Sequence, residues 1–184
     1  MRMISNRGPY RHLTPGEVDL AQSVFKDSLD YDRIRLYARP FVFFQPRESA
    51  IAPNGHIYVR GGIEDDYSHA GLMRRAFFLH EMTHVWQFQN RVLNPLLAGL
   101  REALRHGLRY DRAYFYRLHY GYDLLDYGLE QQASIIEDYY LQVQCGSILH
   151  TGRCLNVCTA PERTQLYQSV LNRFLGNPGL SLSL

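Results

Sequence analysis

Leu79-His80-Glu81-Met82-Thr83-His84-Val85-Trp86 is the stretch whose reading decides the fold. Around it Leu72, Ala76, Leu79, Thr83 and Trp86 recur at the spacing of one helix face, and Phe77 and Phe88 put apolar surface on its other sides. The spacing predicts a helix buried nearly all round. The two histidines stand four apart, one turn of about 5.4 Å, so both imidazoles can reach one ion. Glu81 lies about 100° round the axis from His80, beside that ion's open position and not on it. Polar groups on such a helix cost several kcal/mol if left unpaired. His80 and His84 are therefore expected as metal ligands and Glu81 as the general base. The expected ion is zinc, which takes tetrahedral nitrogen and oxygen ligands. Zinc lowers the pKa of a coordinated water from about 15.7 to about 7, so a carboxylate is a sufficient base near neutral pH.

Catalytic zinc commonly takes a third protein ligand and keeps its fourth place open. After His84 the chain reads Val85-Trp86-Gln87-Phe88-Gln89-Asn90-Arg91, without the Gly and third His of the HExxHxxGxxH pattern. A glutamate from a later helix is the other solution, and Gly128-Leu129-Glu130-Gln131-Gln132-Ala133 offers one. Leu129, Ala133, Ile136, Tyr140 and Val143 form one apolar stripe, with Gly146 placed to end that helix. Glu130 is the expected ligand, because side chains tilt toward the helix N-terminus and small Ala133 permits close helix approach. Glu137 is its rival, on nearly the same face but about 10 Å further along the axis. Asp138 either orients a ligand imidazole or is an ordinary solvated acid.

Outside these two helices the punctuation is local. Thr14-Pro15-Gly16-Glu17 has the form of a capping box with Pro at the first helical position, predicting a helix to about Ser28. Ile34, Leu36 and Ala38 alternate with polar neighbours as a half-buried strand does, and Pro40 interrupts them. Pro53-Asn54-Gly55 predicts a turn between short strands at 50–52 and 56–60. Further helices are expected at 95–106, 111–119 and 161–174. The fold class expected is α+β, a mainly helical zincin-like metallopeptidase domain with a small β-sheet beside the HExxH helix. One domain is expected over residues 1–184, with flexible ends at 1–12 and 176–184.

The pairing of His80-Glu81-Met82-Thr83-His84-Val85-Trp86-Gln87 with Glu130-Gln131-Gln132-Ala133-Ser134-Ile135-Ile136-Glu137-Asp138-Tyr139-Tyr140 resembles metallopeptidase toxin domains of bacterial type VI secretion effectors. The likeness is above all to the kind carried at the C-terminal end of a VgrG spike protein, and Rhs-associated domains are also similar. In looser form it reaches Gly55-His56-Ile57-Tyr58-Val59-Arg60, so it spans roughly residues 30–145. The resemblance implies a gluzincin-type zinc peptidase, attachment to the rest of a secretion spike, delivery to the periplasm of a target cell and neutralisation by a cognate immunity protein. The substrate expected is a protein or peptide. A cell-wall peptide amidase with the same zinc site, or an inactive metal-binding interaction module, are the alternatives.

Composition limits the other classes. The chain has 184 residues, 46% hydrophobic and 21% charged, an ordinary globular mix that argues against disorder. Its 20 basic and 18 acidic residues give a net charge of +2, too weak a field to gather nucleic acid. No apolar run approaches the ~20 residues of a membrane helix, so no membrane insertion is expected, and residues 1–11 lack the apolar region of a secretory leader. Cys145, Cys154 and Cys158 lie near His150 and suggest one disulfide and a free thiol, a second zinc site, or unpaired buried thiols. Tyr116, His119, Tyr120, Tyr122 and Tyr127 precede Glu130, and one of them is a candidate donor to a tetrahedral oxyanion. The strand at 56–60 is a candidate edge for strand addition by an extended peptide.

Overall fold

The computed structural model describes residues 10–92 and 112–179. In chain order its elements are β1 (Tyr10–Arg11), α1 (Pro15–Phe25), β2 (Leu36–Tyr37), β3 (Ser49–Ile51), β4 (Ile57–Arg60), α2 (Leu72–Gln89), α3 (Leu129–Tyr139) and α4 (Ala160–Gly176). The architecture is mixed α and β, with about half of the described residues helical and one small sheet.

The sheet runs β1-β2-β4-β3, with β2 and β4 parallel and the outer strands antiparallel to them. Its inner strands are buried on both faces, as parallel pairs usually are. Leu36, Ile57 and Val59 join the main core. On the other face Tyr37 and Tyr58 stack at 4.6 Å, and the Arg39 guanidinium covers Tyr37 at 5.0 Å. Because β4 is hydrogen-bonded on both sides, the 56–60 strand has no free edge, and strand addition there is corrected. The edges of this sheet are β1 and β3.

The capping box at α1 is present: Glu17 N donates to Thr14 Oγ1 at 3.1 Å, and Thr14 N donates to Glu17 Oε2 at 2.9 Å. The helix stops at Phe25, short of Ser28, because Lys26 turns to φ 49°. Glu17 is also fully buried and accepts from Arg11 at 2.6 and 2.7 Å and from Tyr67 N at 2.9 Å. That ion pair draws residues 10–11 onto the sheet, inside a segment expected to be a flexible end.

Helix α2 is buried at Ala76 and from Phe78 to Gln87, as its all-round apolar pattern predicts. Trp86 packs edge-on to Phe174 of α4 at 5.0 Å and donates to Pro178 O at 3.2 Å. Helix α3 docks along α2 and is locked to it by amides: Gln87 Nε2 donates to Leu129 O and to Gln132 Oε1, both at 3.0 Å. Past Tyr139 the helix widens into one π-turn, Tyr140–Gln144, before Gly146 at φ 57° ends it where the sequence predicts. Helix α4 begins at a second capping box, Thr159 with Glu162.

The helix expected at 95–106 lies outside the described residues. The one expected at 111–119 does not form over 112–119: after a single 3-10 turn at 112–114 the chain is extended. Tyr116 N donates to Arg153 O at 3.1 Å and Leu155 N donates to Tyr116 O at 2.9 Å. Backbone pairing with a distant loop thus replaces local helical bonds. All three cysteines in this region are free thiols, and His80, His84 and Glu130 are the one metal-ligand group among the described residues. Neither a disulfide nor a second zinc cluster forms among Cys145, Cys154, Cys158 and His150. No described helix is long and apolar enough to cross a membrane.

Candidate metal centre

Docking of α3 on α2 brings one oxygen of Glu130 between the two imidazoles. Glu130 Oε2 lies 3.5 Å from His80 Nε2 and 3.2 Å from His84 Nε2. The three ligand atoms all fall within 4.8 Å of one another. A tetrahedron with arms of about 2.0–2.1 Å has edges of about 3.3–3.4 Å, so these separations suit three corners around a zinc-sized ion. All three side chains are largely buried.

Each imidazole also has its other nitrogen engaged. His80 Nδ1 meets Glu137 Oε2 at 2.9 Å, and His84 Nδ1 meets Gln87 Oε1 at 2.8 Å. Acceptors there favour a proton on Nδ1, so that each ring, once neutral, would turn its Nε2 lone pair toward an ion held beside Glu130, the arrangement seen behind histidines that bind metals. The rival glutamate is therefore at the centre in another capacity, holding His80 from behind. Asp138 does not orient an imidazole. It accepts from Tyr116 Oη at 2.7 Å and from Thr151 N and Oγ1 at 2.8 and 2.9 Å.

Glu81 is buried, and its Oε2 has no hydrogen-bond partner among the described residues. Such an atom costs about 1–3 kcal/mol, and it stands in the charge field of His84, His80 and Glu130. Burial raises its pKa. Burial works against charge on His80 too, but hydrogen bonds that the imidazolium donates to Glu130 and Glu137 outweigh it and push the imidazole up to about 10. Burial likewise opposes charge on Glu130, yet the two imidazoles hold it well below the usual carboxylate range. This electrostatic set stabilises a positive charge between the three side chains, whether proton or metal.

The sign of a pH effect follows. Below about pH 10 an incoming cation must displace the proton of His80, so apparent metal affinity should rise with pH through the neutral range. At pH 7 we expect zinc addition to release at least about one proton per chain. Calorimetry in buffers of different ionisation enthalpy measures this directly, and binding without proton release would contradict the electrostatic account.

Two neighbours of the centre were not evident from sequence. The Tyr114 ring lies 5.9 Å from the His80 ring at 24°, and the Arg153 guanidinium sits 4.7 Å above Tyr114. Arg153 Nη1 also donates to Glu137 Oε2 at 2.6 Å. Gln87 was legible in principle, three residues after His84 on one helix face. The candidate oxyanion donors fare less well. The Tyr116 hydroxyl is committed to Asp138 and Tyr167, and the Tyr127 hydroxyl to the backbone of Arg117 and His119. His119, Tyr122 and Tyr127 pack as a ring cluster, and Tyr120 is mostly exposed.

No family model matches the chain. Over 134 residues it is 45% identical to the type VI secretion system spike protein VgrG2b of Pseudomonas aeruginosa, an alignment that takes in 72% of this chain and 13% of that protein. The chain thus spans a small fraction of the spike protein's length. The solved effector domain of Pseudomonas aeruginosa VgrG2b superposes with a TM-score of 0.68 at 37% identity, covering 93% of this chain and 87% of that one. Identity at this level over nearly the whole solved domain establishes common descent: the chain belongs to the family of VgrG-associated type VI secretion effector domains.

Proposed function

We propose that this effector domain is a zinc metallopeptidase of the gluzincin type, in which His80, His84 and Glu130 hold the ion and Glu81 is the general base. The observation that carries the reading is the convergence of the His80, His84 and Glu130 ligand atoms within 4.8 Å of one another, with Glu130 Oε2 at 3.5 and 3.2 Å from the two imidazoles, beside a buried Glu81. When bound, zinc supplies a Lewis acid that polarises the scissile carbonyl and lowers the pKa of the attacking water to about 7. Glu81 takes a proton from that water and passes it to the leaving amine. Glu137 and Gln87 keep the imidazoles turned toward Glu130, so that no ligand has to reorient during turnover. Burial of the four side chains excludes bulk water and strengthens every charge interaction among them.

On this reading the chain forms one domain attached to the rest of a secretion spike. It reaches the periplasm of a rival cell, cuts protein or peptide substrates there and is neutralised by a cognate immunity protein. Purified protein should contain one zinc per chain by elemental analysis and hydrolyse an unfolded protein, with purified peptidoglycan as the parallel substrate. His80→Ala and His84→Ala should lose most of the metal and its stabilisation of the folded state. Unchanged zinc content in both variants, or no peptide-bond hydrolysis by the zinc-loaded protein on either substrate, would overturn the proposal.

A further inference from the structure

The structure assigns Arg153 and Tyr114, which lie outside both ligand helices, as a clamp that fixes the His80 imidazole for metal binding. The assignment rests on the zinc reading above and adds two positioning residues to it. Four groups form a closed circuit. His80 Nδ1 meets Glu137 Oε2 at 2.9 Å, and the same oxygen accepts from Arg153 Nη1 at 2.6 Å. The Arg153 guanidinium lies 4.7 Å from the Tyr114 ring, which returns to the His80 ring at 5.9 Å and 24°. One imidazole is therefore gripped at its edge by a carboxylate and on its face by an aromatic ring, and Arg153 supports both grips.

The two contacts restrain different motions. The edge contact fixes the tautomer and the rotation of the ring in its own plane, whereas the near-parallel face contact limits its tilt. A neutral imidazole is needed for coordination. With His80 neutral, Glu137 keeps a full positive charge beside it in Arg153, so the buried carboxylate stays compensated once metal is bound. His84 is held differently, by the neutral amide of Gln87 on its own helix. Its direct partner comes from α2 itself, while those of His80 arrive from other segments of the chain.

Those segments are positioned for the task. The loop that carries Arg153 is paired to the extended chain after Tyr114 by the Tyr116–Arg153 and Leu155–Tyr116 backbone bonds. Asn156 then ties the pair together, accepting from Leu118 N at 2.7 Å and donating to Leu118 O at 3.0 Å. Asn156 belongs to the scaffold and touches neither His80 nor Glu137. It separates a clamp from a loop that merely needs to be ordered.

The test is zinc affinity of the whole chain by chelator competition, with the melting temperature of metal-free protein measured alongside. Arg153→Ala should weaken zinc about 10- to 100-fold, the range for a residue that orients a metal ligand. Tyr114→Ala should weaken it several-fold, and Arg153→Lys, which keeps the charge but not the flat stack, should recover part of the loss. Asn156→Ala should lower the metal-free melting temperature and leave affinity within about twofold of wild type. If Arg153→Ala fails to fold, Arg153→Lys and Tyr114→Ala carry the same comparison. Wild-type affinity in both Arg153→Lys and Tyr114→Ala overturns the clamp, as does a loss in Asn156→Ala equal to that in Arg153→Ala. A wild-type protein that binds no zinc overturns the zinc reading itself, a result distinct from tight binding that ignores Arg153 and Tyr114.

Discussion

A zinc-loaded Glu81→Gln protein is expected to keep its fold and its metal and to turn over peptide at least about a hundredfold more slowly than wild type. The substitution preserves shape in a site where Glu81 is buried, so it creates no cavity. It removes the one property the reaction needs from this side chain, an oxygen basic enough to take a proton. Metal content should not change, because His80, His84 and Glu130 converge without Glu81. Single-turnover hydrolysis at matched zinc occupancy is the measurement. Wild-type turnover in a zinc-replete Glu81→Gln protein would refute the general-base assignment while leaving the ligands in place.

The second large effect separates the two glutamates of α3. Glu130→Ala should reduce zinc affinity by more than the about 10- to 100-fold typical of an orienting residue, whereas Glu137→Ala should fall within that range. The difference lies in which imidazole atom each glutamate meets. Glu130 reaches Nε2 of both rings, and on the zinc reading its loss would open a coordination position and leave a dication less neutralised. Glu137 reaches Nδ1 of His80, and its loss frees the ring to turn without taking away a ligand. Chelator competition ranks the variants. The opposite order, with Glu137→Ala the more severe, would exchange their roles.

The HExxH helix, its burial and the nearness of Glu130 to the two histidines were readable, because each rests on spacing along a regular helix. The capping box at Thr14, the short strands flanking the turn at Gly55 and the stop at Gly146 were readable for the same reason: each is a local rule that needs no knowledge of neighbours. What escaped depends on docking. Periodicity put Glu137 on the correct face but could not say that it would meet the back of His80, since that is set by how α3 lies along α2. Asp138, next to it, turns to Tyr116 and Thr151. Arg153 and Tyr114 sit in segments with no repeating pattern, where a sequence holds no register from which to project a side chain. The helix expected at 111–119 failed for a related reason: pairing with the loop at 153–155 satisfied the backbone instead.

The amide and carboxylate contacts between α2 and α3 also order events in time. Helix α2 by itself offers two imidazoles, a weak half-site available as soon as one segment coils. The acidic half lies far down the chain, with 57 residues separating Glu137 from His80 and a further 16 separating Arg153 from Glu137. Contacts of such range form only after loop-closure entropy has been met. On the zinc reading, tight metal capture would therefore follow helix docking. A nascent or unfolded copy would then hold two imidazoles without the carboxylate that completes the ligand group.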